Sequence, residues 1–151
     1  DVRAVIEYMV PKGSNSGVYF QGRYEIQILD SYGKKTLTFK DNGAISENVI
    51  EGKGLGGNAP VIIASKVPGE WQKLIVTFRA PRFDANGKKV EDAKFMKVSL
   101  NGQLIHQNIA VPAPTRGARF SDEKSTGPIM LQGDHSPVAF RKIILKPVNL
   151  D

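Results

Sequence analysis

The sequence contains no cysteine, which excludes disulfide bonds and thiolate-ligated metal sites. Histidine and tryptophan are scarce, with two and one copies among 151 residues, so few side chains are available for histidine-based catalysis or metal binding. No apolar run approaches the roughly 20 residues that a transmembrane helix needs. These absences remove a disulfide-rich scaffold, a cysteine-ligated metal domain and a membrane-spanning helix from the structures that these residues could form.

The composition is typical of one globular domain. Hydrophobic residues make up 40% of the chain and charged residues 24%, and a length of 151 residues suits a single domain over residues 1–151. The net charge of +6 would permit a polyanionic partner, but the lysines and arginines are scattered and lack interleaved aromatic residues. We therefore expect a solvated basic surface and no nucleic-acid partner, and we leave the oligomeric state open.

The longest strand-like signal is the run Gly17–Asp30. Within it, Tyr24, Ile26 and Ile28 alternate with Arg23, Glu25 and Gln27, and successive side chains of a strand point to opposite faces. One face can therefore be buried, while the other carries a cation, a carboxylate and a carboxamide in a row. A solvated strand face would also be polar, but this composition favours a platform for a ligand.

Other segments predict an all-β chain. Apolar and polar patterning indicates strands at Val2–Val10, Glu70–Ala80, Lys94–Leu100, Gln103–Val111, Pro128–Gln132 and Val138–Leu145, with short elements at Thr36–Phe39 and Ile45–Ile50. The Asn-Gly pairs at 86–87 and 101–102 are hairpin turns. About nine short strands with turn signals between them predict an antiparallel β-sandwich or jelly roll.

Three features interrupt this pattern. The segment Ser31–Pro60 is irregular and longer than most loops, so we expect it to serve function. The polar segment Pro112–Thr126 is predicted to be a surface loop. The contiguous apolar residues Ile143–Leu145 break the alternation, which requires either a β-bulge or a strand covered on both faces.

Four collinear blocks resemble the 3-keto-disaccharide hydrolase domain family. They are Asn15–Gly33 (NSGVYFQGRYEIQILDSYG), Pro68–Gln72 (PGEWQ), Phe78–Asp84 (FRAPRFD) and Gly127–His135 (GPIMLQGDH), the last leading to Val138–Ile143 (VAFRKI). The resemblance implies a concanavalin-A-like jelly-roll β-sandwich with a ligand site on one sheet, and a carbohydrate partner. It also implies at least one further strand upstream of Asp1 and a periplasmic, extracellular or cell-surface location.

Glu25 and His135 are the candidate catalytic residues. Glu25 lies between Arg23 and Gln27 and could act as an acid or base on a sugar ring, although a cross-strand ion pair is an alternative role. His135 follows a predicted strand end, where site residues commonly lie, and the resemblance implies a base, a metal ligand or a sugar contact. The other histidine, His106, is expected to be an exposed strand residue.

The candidate substrate-binding residues are Arg23, Gln27, Asp30, Gln132 and Arg141. Asp30 could bind hydroxyl groups or cap the turn that follows it, and Arg141 could bind vicinal hydroxyls or a carbonyl or form a surface ion pair. A divalent metal held by Glu25, His135 and either Asp134 or Asp30 is conceivable, but their spacing matches no ligand motif. Trp71 could stack on a sugar or cover the sandwich edge.

The leading functional hypothesis is cleavage of 3-keto-glycosides or 3-keto-disaccharides, a substrate class that comes from the resemblance. A carbonyl at C3 acidifies the C2 hydrogen, so a base such as Glu25 or His135 could remove it while the C1 substituent leaves, and water would then add. The rival hypothesis is a carbohydrate-binding module without catalysis on the same fold. A structural interaction domain is a third alternative.

Overall fold

A computed structural model describes residues 1–151 and contains twelve β-strands. No helix in it is long and apolar enough to cross a bilayer. The strands are β1 Val2–Met9, β2 Asn15–Phe20, β3 Tyr24–Leu29, β4 Asn48–Ile50, β5 Lys53–Leu55, β6 Gln72–Arg79, β7 Arg82–Phe83, β8 Lys89–Glu91, β9 Ala93–Leu100, β10 Gln103–Val111, β11 Met130–Leu131 and β12 Ala139–Pro147.

The larger sheet has five antiparallel strands in the order β10-β9-β6-β1-β12. Each of these strands was predicted from the sequence, and each starts and ends within two residues of its predicted bounds. The β9–β10 hairpin turns at Asn101 and Gly102, whose φ angles of 51° and 84° are those of a tight turn that matches the strand twist. The prediction of an all-β antiparallel fold is confirmed.

The run Gly17–Asp30 is not one strand, as its alternation had suggested, but a hairpin of β2 and β3. The chain reverses at Gln21 and Gly22, whose φ angles are 55° and 65°, and Tyr19 then pairs with Glu25 across the hairpin. The alternation survives the turn because both strands bury the same face. The smaller sheet has the order β11-β2-β3.

The core lies between these two sheets. Phe20 of the smaller sheet packs against Phe78 and Phe95 of the larger sheet, with ring centroids 5.2 and 5.6 Å apart. Tyr24 packs on Phe78 at 5.5 Å, and Ile26 and Ile28 are fully buried. Each such side chain contributes about 1.5–3 kcal/mol by leaving water. The burial of Tyr24, Ile26 and Ile28 leaves the alternate residues of β3 on the opposite face of the smaller sheet.

The segment Ser31–Pro60 runs along the β3 edge of the smaller sheet and borders that opposite face. The predicted strand at Thr36–Phe39 is absent, because the Thr38 backbone N–H and hydroxyl donate to the Asp41 carboxylate at 2.8 and 3.0 Å and form a turn. The second predicted element is present only as β4, which pairs with β5. Ile45 forms isolated bridges to Ile26 and to Asn58, so this segment extends the smaller sheet past β3.

His106 is buried, with 3% of its surface exposed, and the prediction that it is an exposed strand residue is wrong. The register of β10 against β9 shifts between Leu104 and His106, so Ile105 and His106 are both buried. The His106 Nε2 atom lies 2.9 Å from the Gly43 carbonyl oxygen, and burial lowers the pKa of the imidazole. His106 therefore anchors the Ser31–Pro60 segment to the large sheet.

The apolar residues Ile143–Leu145 lie in β12, the edge strand of the large sheet. A bulge is present, since the register against β1 shifts between Glu7 and Tyr8, but the strand is not covered on both faces. Ile143 and Leu145 share the inward face with Ile6 and Ala4 of β1, yet they are 43% and 45% exposed. The smaller sheet does not reach far enough to cover them.

Candidate active site

A cleft of about 530 Å³ lies on the face of the smaller sheet that points away from the core; we call it the Glu25 cleft. Its floor comes from β2 and β3, and its walls come from the loops around residues 39–47, 115–117 and 132–135. The lining residues are Asn15, Tyr19, Glu25, Gln27, Leu29, Phe39, Lys40, Ser46, Glu47, Thr115, Arg116, Gly117, Gln132 and His135. Most are polar, which suits a ligand rich in hydroxyl groups.

Glu25 is the most buried carboxylate of this cleft, with 5% of its surface exposed. Burial raises the pKa of Glu25, and the Ser46 and Tyr19 hydroxyls and nearby His135 only partly oppose this effect. Glu25 has no ion-pair partner, so its alternative role as a cross-strand ion pair is not realised. A buried carboxylate with a raised pKa is a stronger base once ionised than an exposed carboxylate.

Gly17 makes room for this carboxylate. A Cβ atom added at Gly17 would lie 2.2 Å from Glu25 Oε1, so any side chain there would displace the acid. Gly17 faces Gln27 in the β2–β3 register, two residue pairs from Tyr19 and Glu25 and on the same face of the sheet. The glycine of the Asn-Ser-Gly sequence therefore shapes the cleft floor.

Tyr19 stands beside Glu25 and is almost fully buried. Burial and the neighbouring Glu25 charge raise the pKa of Tyr19, which keeps its hydroxyl protonated at neutral pH. A protonated phenol can donate a hydrogen bond to Glu25 or to a developing negative charge. Sequence reasoning overlooked Tyr19, although it shares a strand face with Gly17.

The Thr115–Gly117 loop forms one wall of the cleft and is bonded directly to β3. The Glu25 backbone N–H donates to Thr115 Oγ1 at 3.1 Å, and the Thr115 N–H donates to the Arg23 carbonyl at 2.8 Å. Thr115 is itself buried. The segment Pro112–Thr126 lacks regular strands, as predicted, but it is a wall of the cleft rather than only a surface loop.

His135 lies at the cleft on an exposed loop. Its Nδ1 atom is 2.8 Å from Asp134 Oδ1, and this hydrogen bond lowers the pKa of Asp134. The contact orients the ring and leaves Nε2 for another partner. Gln132 lies on the same wall, where its backbone N–H donates to Gly17 and its carbonyl accepts from Ser16.

The remaining polar floor is formed by two amides. Gln27 Nε2 donates to Asn15 Oδ1 at 2.8 Å, which orients both side chains across the β2–β3 hairpin. Opposite them, Phe39 is half-buried, and Lys40 Nζ lies 5.6 Å from its ring centroid. Amides and an aromatic ring are the groups that proteins use to bind sugar hydroxyls and sugar faces.

Four of the seven predicted site residues line the cleft, namely Glu25, Gln27, Gln132 and His135. Arg23 does not: it is buried against Phe120 and donates to the Asp122 carbonyl and carboxylate at 2.5 and 2.8 Å. Its guanidinium holds the 112–126 loop onto the sheet.

Asp30 and Arg141 also lie outside the cleft. The Asp30 carboxylate accepts from the backbone N–H groups of Gly13 and Tyr32, which is the turn-capping role considered for it. Arg141 does not reach the face that carries Gln132, because it lies on the large sheet and pairs with Glu7 at 2.7 Å. Its guanidinium stacks on Trp71 at 4.3 Å, so both side chains have structural partners.

The residues do not provide a ligand set for a metal. No group of three or more acid or histidine side chains comes together anywhere in the structure. Asp30 accepts backbone hydrogen bonds at its turn, and Asp134 is paired with His135. We therefore assign no metal-dependent step.

Sequence reasoning missed the cleft residues on two of the three wall loops. Ser46, Glu47, Thr115 and Arg116 come from two segments without regular alternation, so no periodic signal marked them. Tyr19 and Asn15 could have been found, since they alternate with Val18 and Ser16 on β2.

The family model described as a 3-keto-alpha-glucoside-1,2-lyase-like domain matches residues 1–146. The chain belongs to this family. The four sequence blocks were thus correctly interpreted. In this 3-keto-alpha-glucoside-1,2-lyase-like domain, two of those blocks supply the floor and one wall of the Glu25 cleft. No curated protein matches the sequence.

The domain is also similar to solved structures from Parabacteroides distasonis ATCC 8503, each described as a "putative glycosyl hydrolase". The first is 27% identical with a TM-score of 0.76, and the match covers 98% of this chain and 64% of that chain. A second is 20% identical with a TM-score of 0.61, covering 97% and 78% of the two chains. At 20% identity the likeness shows the fold alone.

Proposed function

We propose that this domain cleaves 3-keto-α-glucosides or 3-keto-disaccharides by removing the C2 proton and eliminating the C1 substituent. Two findings support a carbohydrate-active, glycosyl-hydrolase-like protein: the family membership and the likeness to the 27% identical structure. The observation that carries the finer proposal is Glu25, a buried carboxylate without an ion-pair partner on the floor of a polar cleft.

The proposed reaction begins at C2. The C3 carbonyl acidifies the C2 hydrogen, and the Glu25 carboxylate takes that proton while the electron pair forms an enolate. The enolate then collapses, the C1–O bond breaks with its electrons, and the departing oxygen takes up a proton. Water adds across the new C1–C2 double bond, with oxygen bonding to C1 and a proton returning to C2, so the net change is hydrolysis.

The cleft residues have distinct roles in this scheme. Glu25 is the base, and its burial favours the proton transfer because a desolvated carboxylate binds protons more strongly. His135, oriented by Asp134 through Nδ1, gives the leaving oxygen a proton from Nε2 when the ring carries a proton on both nitrogens. The Gln27 and Asn15 amides and the Phe39 ring would hold the sugar hydroxyls and ring face.

Two alternatives make different demands on the same cleft. Ordinary glycoside hydrolysis uses two carboxyl groups, and Glu47 is the only other carboxylate in the cleft, where it is paired with Arg116 at 3.1 Å. A carbohydrate-binding module would need the amides and Phe39 but no base. Ordinary hydrolysis predicts that an unoxidised sugar is cleaved at least as fast as its 3-keto form. A binding module predicts that the two forms bind equally well.

The experiment compares 3-keto-α-glucosides and 3-keto-disaccharides with the corresponding unoxidised sugars, measuring sugar release with and without chelator. We expect cleavage of the keto substrates alone and a loss of about 10³-fold in kcat for Glu25→Gln, the usual size of a general-base effect. Glu25→Gln should still bind the substrate. Binding without cleavage by the parent protein would support the module instead, and cleavage of unoxidised sugars would support ordinary glycoside hydrolysis.

A further inference from the structure

The Thr115–Gly117 loop brings a cation, Arg116, next to the strand that carries Glu25. The loop is bonded to the chain at the start of β3 through Thr115, whose backbone N–H donates to the Arg23 carbonyl and whose hydroxyl accepts from the Glu25 N–H. Hydrogen-bonded backbone segments lie about 5 Å apart. Arg116 is therefore the residue next to Thr115, which contacts Glu25 directly, and its side chain lines the same cleft.

Arg116 is held by Glu47 through only part of its hydrogen-bonding capacity. Its Nε atom donates to Glu47 Oε1 at 3.1 Å, and its backbone N–H donates to the Glu47 carbonyl at 3.4 Å. The two terminal nitrogens have no acceptor in the chain, and the side chain is 61% exposed. A guanidinium anchored at Nε presents its terminal N–H groups to whatever enters the cleft.

Glu47 itself is seated by a glycine. A Cβ atom at Gly54 would lie 2.4 Å from Glu47 Oε2, and no positive φ accounts for the glycine. Gly54 therefore leaves room for the Glu47 carboxylate, as Gly17 leaves room for Glu25. Both carboxylates of the cleft occupy space that a larger residue on the adjacent strand would fill.

The Arg116 guanidinium pairs with Glu47 and not with Glu25. Glu25 forms no ion pair with Arg116, and an arginine paired with it would make the carboxylate a weaker base. The other polar and charged residues that line the cleft with Glu25 are Asn15, Tyr19, Gln27, Lys40, Ser46, Glu47, Thr115, Arg116, Gln132 and His135. Of the lysine and arginine side chains in this set, only Arg116 forms an ion pair with a carboxylate of the cleft wall, Glu47.

We propose that the terminal nitrogens of Arg116 bind the C3 oxygen of the keto sugar, and that Glu47 is a positioning residue that directs the guanidinium to the substrate and away from Glu25. The inference rests on the proposed function. Negative charge develops on the C3 oxygen as the C2 proton leaves, and a prearranged cation stabilises that charge more than it stabilises the neutral carbonyl.

The test measures kcat, KM and their pH dependence on a 3-keto-α-glucoside for the parent and four folded variants. We expect Arg116→Ala to lower kcat about 100-fold, as loss of one oxyanion contact does, with a smaller change in KM. Arg116→Lys should retain more activity than Arg116→Ala, and added guanidinium should restore part of the activity of Arg116→Ala. Arg119→Ala is the control, because Arg119 is an exposed arginine of the Pro112–Thr126 segment that does not line the cleft. Its kcat and KM should match those of the parent.

Glu47→Gln tests the positioning role of Glu47 through the pH dependence of kcat/KM, which would not change if Glu47 only stabilised the fold. The freed guanidinium can then pair with Glu25, so the acidic limb of the kcat/KM profile should move to lower pH while kcat falls. An active parent with unchanged kcat in Arg116→Ala would overturn the role of Arg116. An unshifted acidic limb in Glu47→Gln would overturn the positioning role, and a parent inactive on every keto substrate would overturn the proposed function and this inference with it.

Discussion

At the residue scale, the cleft depends on a carboxylate placed where its charge is costly. Glu25 is 5% exposed and lacks a cationic partner, so burial raises its pKa. A group whose pKa is raised by folding destabilises the folded protein at pH values above that pKa, because the folded state must carry the buried charge. The destabilisation disappears as pH falls through the folded-state pKa and the carboxyl group takes up a proton.

This balance predicts opposite effects of Glu25→Gln on activity and stability. The variant should lose turnover but melt at a higher temperature than the parent at pH 7–8, since the amide needs no buried charge. The difference in melting temperature should shrink as pH is lowered through the raised pKa of Glu25. Thermal unfolding from pH 4 to 8 measures it; a variant that is less stable at neutral pH would contradict the account.

Gly17 offers a second test of the same site without removing the acid. Gly17→Ala should lower kcat by about 10–100-fold, because a Cβ atom 2.2 Å from Glu25 Oε1 must displace the carboxylate and small misplacements are costly. Gly133→Ala is the matched control, since a Cβ atom there meets nothing within 4 Å. Equal kcat values for both variants would show that the position of Glu25 does not limit the reaction.

At the element scale, the irregular Ser31–Pro60 segment is held in place by buried polar side chains. The fully buried Asp41 carboxylate accepts hydrogen bonds from Lys34, from the Thr38 N–H and hydroxyl, and from the Ser31 hydroxyl at 3.0 Å. Burial alone would raise the pKa of Asp41, but these hydrogen bonds outweigh it and lower the pKa. The turn places Phe39 and Lys40 on the cleft.

Asp41→Asn should therefore destabilise the protein by about 1.5–3 kcal/mol at pH 7, the usual worth of hydrogen bonds to a buried charge. Since the folded-state pKa of Asp41 is lowered, this contribution is present above the ordinary aspartate pKa and is lost as pH falls through the folded-state value. Denaturant unfolding at pH 7 and pH 3 measures both effects. Asp84→Asn, in an exposed turn, is the control, and an equal loss in both variants would contradict the role of Asp41.

At the scale of the whole molecule, the two sheets differ in extent. Five strands form one sheet and three form the other, so the core ends before it reaches the edge strand β12. Ile6 and Ile143 pair in register on the inward face, but Ile6 is fully buried and Ile143 is 43% exposed. The same residue type on the same face thus has two environments.

The two isoleucines give a matched pair of substitutions. Ile6→Thr should cost about 2–4 kcal/mol, because it removes buried apolar atoms and buries a hydroxyl. Ile143→Thr should change the unfolding free energy by less than about 1 kcal/mol, since surface substitutions have small effects. Chemical denaturation of both variants measures the difference, and a comparable loss for Ile143→Thr would show that its inward face is covered in solution.

The sequence predicted those parts of the molecule in which apolar and polar side chains alternate regularly along a strand. Strand alternation identified the large sheet and the outward face of β3 with Glu25 and Gln27, and two of the four family blocks identified the floor and one wall of the cleft. It did not reveal the turn at Gln21, because both strands of the hairpin bury the same face. Arginine positions show the other limit, because they depend on how distant segments pack. Arg141 lies on the large sheet, where it pairs with Glu7, whereas Arg116 lies on a loop that reaches the cleft, where it pairs with Glu47.

The most direct test of the central claim is cleavage of a 3-keto-α-glucoside in D₂O, with the product examined for deuterium at C2. If Glu25 removes the C2 proton and water adds later, the product should contain one deuterium at C2 for each bond cleaved. This deuterium content should exceed that of product incubated alone in D₂O and that of samples treated with Glu25→Gln. Cleavage that leaves hydrogen at C2 would show that bond breaking occurs directly at C1, and would contradict the role given to Glu25.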